Sequence, residues 1–194
     1  MIDTFSSNSL KILDKDINEF KNKFIDNLTL FKNDKRALTG QKFHSLICAC
    51  IKGFDTEKFE KSLEKDELRN WLNLKEKIER KRNNFIKTEY SFLVKNILNN
   101  KPYYLTGRFD AIYKENDNII IYDWKTLNIP KNPEEDLQTI VYLYCAEKIY
   151  KTKNIKMKYL SIEKQISSEI DYKNKELYKK RIEDIILKLK NIEI

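Results

Sequence analysis

The sequence is poor in the residues that punctuate or cross-link a chain, with three glycines, three prolines, three cysteines and one histidine among its 194 residues. So few breakers exclude a low-complexity or collagen-like chain and imply long uninterrupted elements. An odd number of cysteines argues against a disulfide framework. Cys48 and Cys50 stand about 200° apart on an expected helix, which fits neither a zinc nor an iron–sulfur site. Cys48, Cys50 and Cys145 therefore read as small buried hydrophobes. No apolar run approaches the roughly 20 residues that span a bilayer, so no membrane association is expected. The opening residues, MIDTFSSNSL, lack the basic and apolar regions of a signal peptide, and the expectation is a cytoplasmic protein.

What is present is charge and aromatic bulk. The chain is 41% hydrophobic, 12% aromatic and 35% charged, enough for a real core beneath a solvated surface. Its length suits a single domain, 1–194. The net charge of +8 and the pI of 9.1 favour polyanionic partners through counterion release. The wealth of lysine, asparagine and isoleucine also has a compositional explanation, so charge alone leaves nucleic-acid binding open.

Residues 1–88 read as mainly helical. Leu10, Leu13, Ile17, Phe20, Phe24 and Leu28 recur at helical spacing behind Ser6, Ser7 or Asn8 as N-cap. A second helix follows Gly40, with Phe43, Leu46, Ile47 and Cys50 as its stripe and Gly53 as terminator. Asp55 and Asp66 look like caps of further helices carrying Phe59, Leu68, Trp71, Leu72 and Ile78. The period then changes. Tyr90, Phe92 and Val94 alternate, Asn99 to Pro102 marks a turn, Tyr103 to Lys114 alternates again, and Ile119 to Lys125 forms a dense strand. Asn132-Pro133-Glu134-Glu135 has the form of a helix start, with the helix reaching about Tyr150. Ile155 to Ile162 and Ile166 to Tyr172 read as strands that complete a sheet core over 89–172. A last amphipathic helix lies within 173–194. The fold class is α/β: a mixed sheet with an antiparallel three-strand meander, flanked by helices.

The chemistry concentrates in Gly107-Arg108-Phe109-Asp110 and Asp123-Trp124-Lys125. If Asn116-Asp117 is a hairpin tip, Lys114 pairs with Ile119, and Asp110 falls opposite Asp123 with Cβ atoms about 5 Å apart. Lys125, two residues on, shares that face. Facing carboxylates repel unless a positive charge lies between them. Lys125 supplies one, and a hard divalent cation supplies more. Ile119 and Ile121 are on the same face, so the acids should be partly buried, and buried charges are rarely idle. The bland alternative is a pair of exposed strand aspartates with Lys125 as a salt-bridge partner.

Gly-x-x-Asp followed about a dozen residues later by Asp-x-Lys resembles the PD-(D/E)XK nuclease superfamily. Gln138-Thr139-Ile140-Val141-Tyr142 resembles the Gln-x-x-x-Tyr motif of its RecB-like branch, and Gly40-Gln41-Lys42-Phe43-His44 resembles that branch's Gly-x-x-x-His helix. The four motifs occur in the expected order over residues 40–142. Phe109 stands where the namesake proline would be. Many RecB-like relatives carry a four-cysteine iron–sulfur cluster. The segment Ser7 to Leu10 resembles theirs, but no cysteine follows in that helix, and a cluster-free form is implied.

The resemblance implies a restriction-endonuclease-like core and a metal-dependent, exonuclease-like nuclease acting on DNA, either single-stranded or at duplex ends. Asp110, Asp123 and Lys125 would be catalytic, with Asp110 and Asp123, joined by His44, holding Mg2+ or Mn2+. Gln138 and Tyr142 would contact DNA. From the strand pattern itself, Arg108 shares the face of Asp110 and suits DNA phosphate contact, and Glu89, at the start of the first strand, is placed to assist. Each has a plainer alternative: a core histidine at His44, a sheet-packed helix face at Gln138 and Tyr142, a surface ion pair at Arg108. The competing function is a catalytically silent nucleic-acid-binding module, or a scaffold subunit with a protein partner in a DNA repair, phage or defence complex.

Overall fold

The computed structural model describes residues 2–28 and 35–191. Fourteen residues from Phe85 to Leu98 form β2, which turns through Asn99 and Asn100 into β3, Lys101–Glu115. Both asparagines take positive φ (50° and 62°), the two-residue geometry that matches the twist of the flanking strands. Lys101 and Pro102, expected in the turn, already belong to β3. A second two-residue turn at Asn116–Asp117 leads into β4, Asn118–Lys125, with Lys114 opposite Ile119 as expected. These three strands are the antiparallel meander.

The remaining strands make the sheet mixed. β5, Ile155–Ser161, runs parallel to β4, and β6, Ser167–Asp171, pairs antiparallel with β5. One strand went unforeseen: β1, Thr4–Ser6, lies parallel to β3 at Tyr104–Thr106. Three residues are too few to show a period. Because Tyr104 to Thr106 also pair with β2, β1 must lie on the edge of β3 that faces β4. That edge is thus shared, with β1 at one end, β4 at the other, and residues 107–110 paired with neither.

Helices cover both faces. The expected first helix is two: α1 (Ser7–Lys15) and α2 (Ile17–Phe24). Asp16, at φ −151° and ψ 107°, ends the first and caps the second, accepting from the backbone N–H groups of Asn18 and Glu19. The apolar period runs through the break because both helices lay the same stripe on the core. That stripe stops short of Leu28, which is exposed. Ser6 is the N-cap, in a reciprocal pair with Ser9. α3 spans Lys35–Ile51, starting earlier than expected, and Gly40 lies inside it. Gly53, at φ 78°, closes α3 as expected.

Asp55 accepts from Glu57 N–H at the start of α4, Glu57–Glu60. Asp66 falls within the first turn of α5, Lys65–Lys81, and Glu64 takes the cap expected of it. Phe59 and Leu72 are exposed, whereas Trp71 and Ile78 are buried. Glu60 ties the two helices, accepting from Thr56, Trp71 and Lys75. The helix after β4, α6, runs from Leu137 to Tyr150. It begins beyond the expected Asn132, because Asp136 accepts from Gln138 N–H as the N-cap and Asn132–Glu135 forms only a turn. α7, Lys175–Leu187, closes the fold.

One face of the sheet packs on α1, α2, α6 and α7, with Leu10, Leu13, Phe20, Val141, Leu143 and Ile182 buried there. The other packs on α3 and α5, around Phe43, Ile47, Trp71 and Leu74. Alternation along β4 serves both: Ile119 and Ile121 point to the first core, Ile120, Tyr122 and Trp124 to the second.

Gly107 sits where three aromatic rings close over β3. A Cβ there would stand 2.6 Å from Phe92 Cζ and 3.2 Å from Tyr142 Cε1, and Phe92 is itself held against Phe109 at 4.6 Å between centroids. Gly107→Ala should therefore destabilise the protein by about 1–3 kcal/mol, as overpacking does. Urea denaturation reads this directly; an unchanged midpoint would mean the rings move aside freely.

Candidate metal centre

The centre lies where β3 and β4 part. The ladder ends at Ala111 and Tyr122, and the next position puts Asp110 opposite Asp123, the predicted pair. Beyond that point the Trp124 peptide faces a strand that has turned away, and a buried backbone group cannot go unpaired cheaply. Two side chains take its place. Asp110 Oδ2 accepts from Trp124 N–H at 2.9 Å, and the ring of His44, on α3, meets the Trp124 carbonyl at 3.2 Å through Nε2. A carbonyl only accepts, so Nε2 carries a proton, and Nδ1 of the neutral ring is left with its lone pair.

That Nδ1 points at acids. It lies 3.4 Å from Asp110 Oδ1 and 3.8 Å from Glu89 Oε1, and one donor atom from each of His44, Glu89 and Asp110 falls within 4.8 Å of the others. Asp123 stands on the other strand, outside that 4.8 Å cluster. It is 3% exposed and Asp110 8%. Asp123 Oδ1 accepts from Gln138 Nε2 at 2.5 Å, and Lys125 Nζ donates to Gln138 Oε1 at 2.8 Å. The amide orientation follows from chemistry, since an ammonium only donates and a carboxylate only accepts. Lys125 Nζ also stands 2.7 Å from Asp123 Oδ2, but off the hydrogen-bonding direction. Both Asp123 Oδ2 and His44 Nδ1 are consequently buried without a directed partner.

The His44 Nδ1 atom tests whether a divalent cation fits, and it agrees with one. Its buried lone pair, clustered with Asp110 and Glu89 oxygens, forms a hard oxygen-and-imidazole donor set. The electrostatics agree too. Burial and the neighbouring Asp110 charge push the Asp123 carboxyl up to about 6, against the pull of Lys125. Burial lowers the His44 pKa, but its closeness to Asp110, with the charges of Asp123 and Glu89, outweighs burial, and the net shift is upward. Each acid thus makes the others costly, as expected of a site short of positive charge.

The other predicted residues cluster here as well. Tyr142 is buried, and its hydroxyl donates to the Arg108 carbonyl at 2.8 Å, so it braces the unpaired stretch of β3. Arg108 extends its guanidinium to Glu89 at 2.7 Å, half exposed. Gln138 bridges Asp123 and Lys125 instead of reaching solvent.

Glu89 is the residue whose place the sequence reading left open. It sits inside β2, between the pairs Thr88–Ala111 and Tyr90–Phe109, at φ 51°. A non-glycine residue there costs roughly 1–3 kcal/mol, and the twist delivers its carboxylate to His44 and Asp110. Counting register from the Asn99–Asn100 turn, as was done from Asn116–Asp117, would have placed Glu89 opposite Asp110.

Comparison with known proteins bears on the same region. The sequence model of the PD-(D/E)XK nuclease superfamily matches residues 25–192. The crystal structure of SSO0001 is similar in fold, with a TM-score of 0.53 at 18% identity, covering 95% of this chain and 76% of that one. No curated protein matches the sequence.

Two outcomes test the electrostatics in metal-free protein. Asp123 holds its proton longer in the folded state than in the unfolded, where its pKa is the ordinary 3.8. Folding stability should therefore fall as pH rises from about 4 to about 6, by up to about 3 kcal/mol from this group. The raised His44 pKa removes further stability as pH rises above 6.5. Glu60, held down to about 2, acts oppositely and loses its contribution only as pH falls below 4.5. Asp123→Asn should flatten the fall between pH 4 and 6; denaturation curves that keep the wild-type slope would refute the assignment. At Glu89, replacement by Gly should leave a protein about 1 kcal/mol more stable than replacement by Ala, since only the alanine keeps the left-handed strain.

Proposed function

The chain belongs to the PD-(D/E)XK nuclease superfamily, and from that membership we propose that it hydrolyses DNA phosphodiester bonds, acting from strand ends, with Mg2+ or Mn2+ as cofactor. The observation that carries the reading is the gathering of His44, Glu89 and Asp110 at the strand fork beside the Asp123–Lys125 pair, with His44 Nδ1 buried and without a hydrogen-bond partner. His44, Asp110 and Asp123 would hold the cation, and Glu89 shares the 4.8 Å cluster of donor atoms with His44 and Asp110. When bound, the cation supplies Lewis acidity toward a phosphate oxygen and lowers the pKa of a coordinated water.

The chain's own residues do the positioning. Lys125, anchored by Gln138, is a fixed positive charge at the end of β4, suited to orient an attacking water and to offset charge that grows on the phosphate. Gln138 keeps Lys125 and Asp123 in register through one amide. Tyr142 holds the Arg108 backbone, so the arginine side chain reaches outward from a fixed base. Its guanidinium can exchange Glu89 for a phosphate, which it grips with two N–H groups. Arg108 is thus the one of the three proposed DNA contacts whose polar end is turned outward; Gln138 and Tyr142 serve through the residues they hold.

The RecB-like, cluster-free assignment belongs to the same proposal, supported by the order of Gly40, His44, Asp110, Asp123, Lys125, Gln138 and Tyr142 along the chain. So does a single working unit over 1–194, supported by one sheet that carries both helix layers. The intact acid–lysine set favours an enzyme over a silent binding module.

Calorimetry with Mn2+ tests the cofactor. Asp110→Asn keeps an acceptor for Trp124 N–H, so the fold should persist while Mn2+ binding weakens by tenfold or more, about 1.4 kcal/mol. Incubated with end-labelled DNA, wild type should cleave only when Mg2+ or Mn2+ is present, and Asp123→Ala should not. Absence of metal-dependent cleavage on every strand and end type would refute the proposal.

A further inference from the structure

Beside the metal centre lies a cleft of about 770 Å³, with His44, Glu89 and Arg108 at one end and Lys52 and Phe54 at the other. Its floor is a single face of α3. Gly40, Gln41, His44, Ser45, Cys48 and Ala49 line it from the helix, and Lys52 follows one residue past its end. His44 and Lys52 are eight residues apart, about 12 Å along the helix axis at 1.5 Å per residue. The cleft therefore leads away from the reacting position by the reach of a neighbouring nucleotide. A cavity this size suits one small-molecule ligand, commonly about 300–1,000 Å³, so it admits one nucleotide whose base is unpaired and free to stack.

The far end is built for a base. Phe54 is 66% exposed, yet its backbone is pinned: Gly53 N–H bonds the Cys50 carbonyl and Phe54 N–H the Ala49 carbonyl, at 3.0 and 2.9 Å. This double closure of α3 fixes where the Phe54 side chain leaves the backbone, at the cleft mouth. Next to it Lys52 has no acid within ion-pair distance among the described residues. Phe59, 63% exposed nearby in sequence, does not line the cleft. An aromatic face beside a cation, adjoining a phosphate-handling centre, is how proteins hold unpaired bases without reading their identity.

We propose that this cleft is a nucleotide subsite for an unpaired nucleic-acid strand, in which Phe54 stacks on the base next to the scissile phosphate and Lys52 pairs with that nucleotide's phosphate. The proposal rests on the nuclease reading for which phosphate is scissile. The subsite itself is tested without catalysis, by fluorescence anisotropy of a labelled oligothymidylate and of a blunt hairpin duplex with metal-free protein. Phe54→Ala should weaken strand binding about 5–100-fold, Phe54→Trp should retain it, and Phe59→Ala should match wild type. Lys52→Ala should lower the salt dependence of strand binding by about 0.7 in log–log slope. Duplex affinity should be unmoved by the Phe54 changes. Because Phe54 is exposed, all these proteins should melt alike.

Equal strand affinity in Phe54→Ala and Phe59→Ala would overturn the subsite, as would parallel losses for strand and duplex, or no strand binding by wild type. Cleavage assays run alongside separate the two claims. Phe54-dependent strand binding without metal-dependent cleavage supports the subsite and removes the nuclease reading. Cleavage that persists unchanged while Phe54→Ala binds normally does the reverse.

Discussion

The parting of β3 from β4 after the Ala111–Tyr122 pair is the constraint on which the rest of the site depends. A β-strand that loses its neighbour exposes N–H and C=O groups, and in the middle of a packed sheet they must be satisfied locally. The Trp124 peptide is satisfied by Asp110 and His44, and the Arg108 carbonyl by Tyr142. The same bonds that repair the backbone orient the imidazole, one carboxylate and the arginine stem. Site geometry and sheet geometry are therefore one structure, and neither can be altered alone.

The centre is built against its own electrostatics. Asp110 and Glu89 converge on one imidazole, with Asp123 on the adjoining strand, Lys125 tied to Asp123 and Arg108 to Glu89. Burial first, and then the neighbouring Asp110 charge, make Asp123 resist ionisation against the pull of Lys125. Left-handed backbone at Glu89 adds local strain. Buried repulsion and strain persist only where the surrounding fold over-determines them. Here the aromatic packing of Phe92, Phe109 and Tyr142 behind Gly107 supplies that rigidity.

Legibility in the sequence divides along the same line. The β3–β4 register was readable because side chains alternate strictly and the turn at Asn116–Asp117 has no slack, so Asp110 had to meet Asp123. The stripe Phe43, Leu46, Ile47, Cys50 was readable for the equivalent reason in a helix. Misplaced boundaries came from competition between capping groups. Asp16 breaks a stripe whose period never falters, Asp136 outcompetes Asn132 as the cap of α6, and Glu64 stands where Asp66 was expected. Hydrophobic period reports which side of a segment is buried, and both halves of a broken helix can bury the same side.

By itself, the sequence determined the element types, the meander, the facing aspartates and the resemblance carried by Gly107 to Tyr142. These follow from periodicity and short turns, which are local. Tertiary structure decided that β1 shares an edge of β3 with β4, that the sheet therefore forks beside Asp110, and that His44 crosses from α3 to the Trp124 carbonyl, 80 residues away. It also placed Glu89 within 4.8 Å of donor atoms of His44 and Asp110 and opened the cleft that ends at Phe54. These depend on how elements distant in the chain satisfy one another's backbone groups, and no local pattern carries that information.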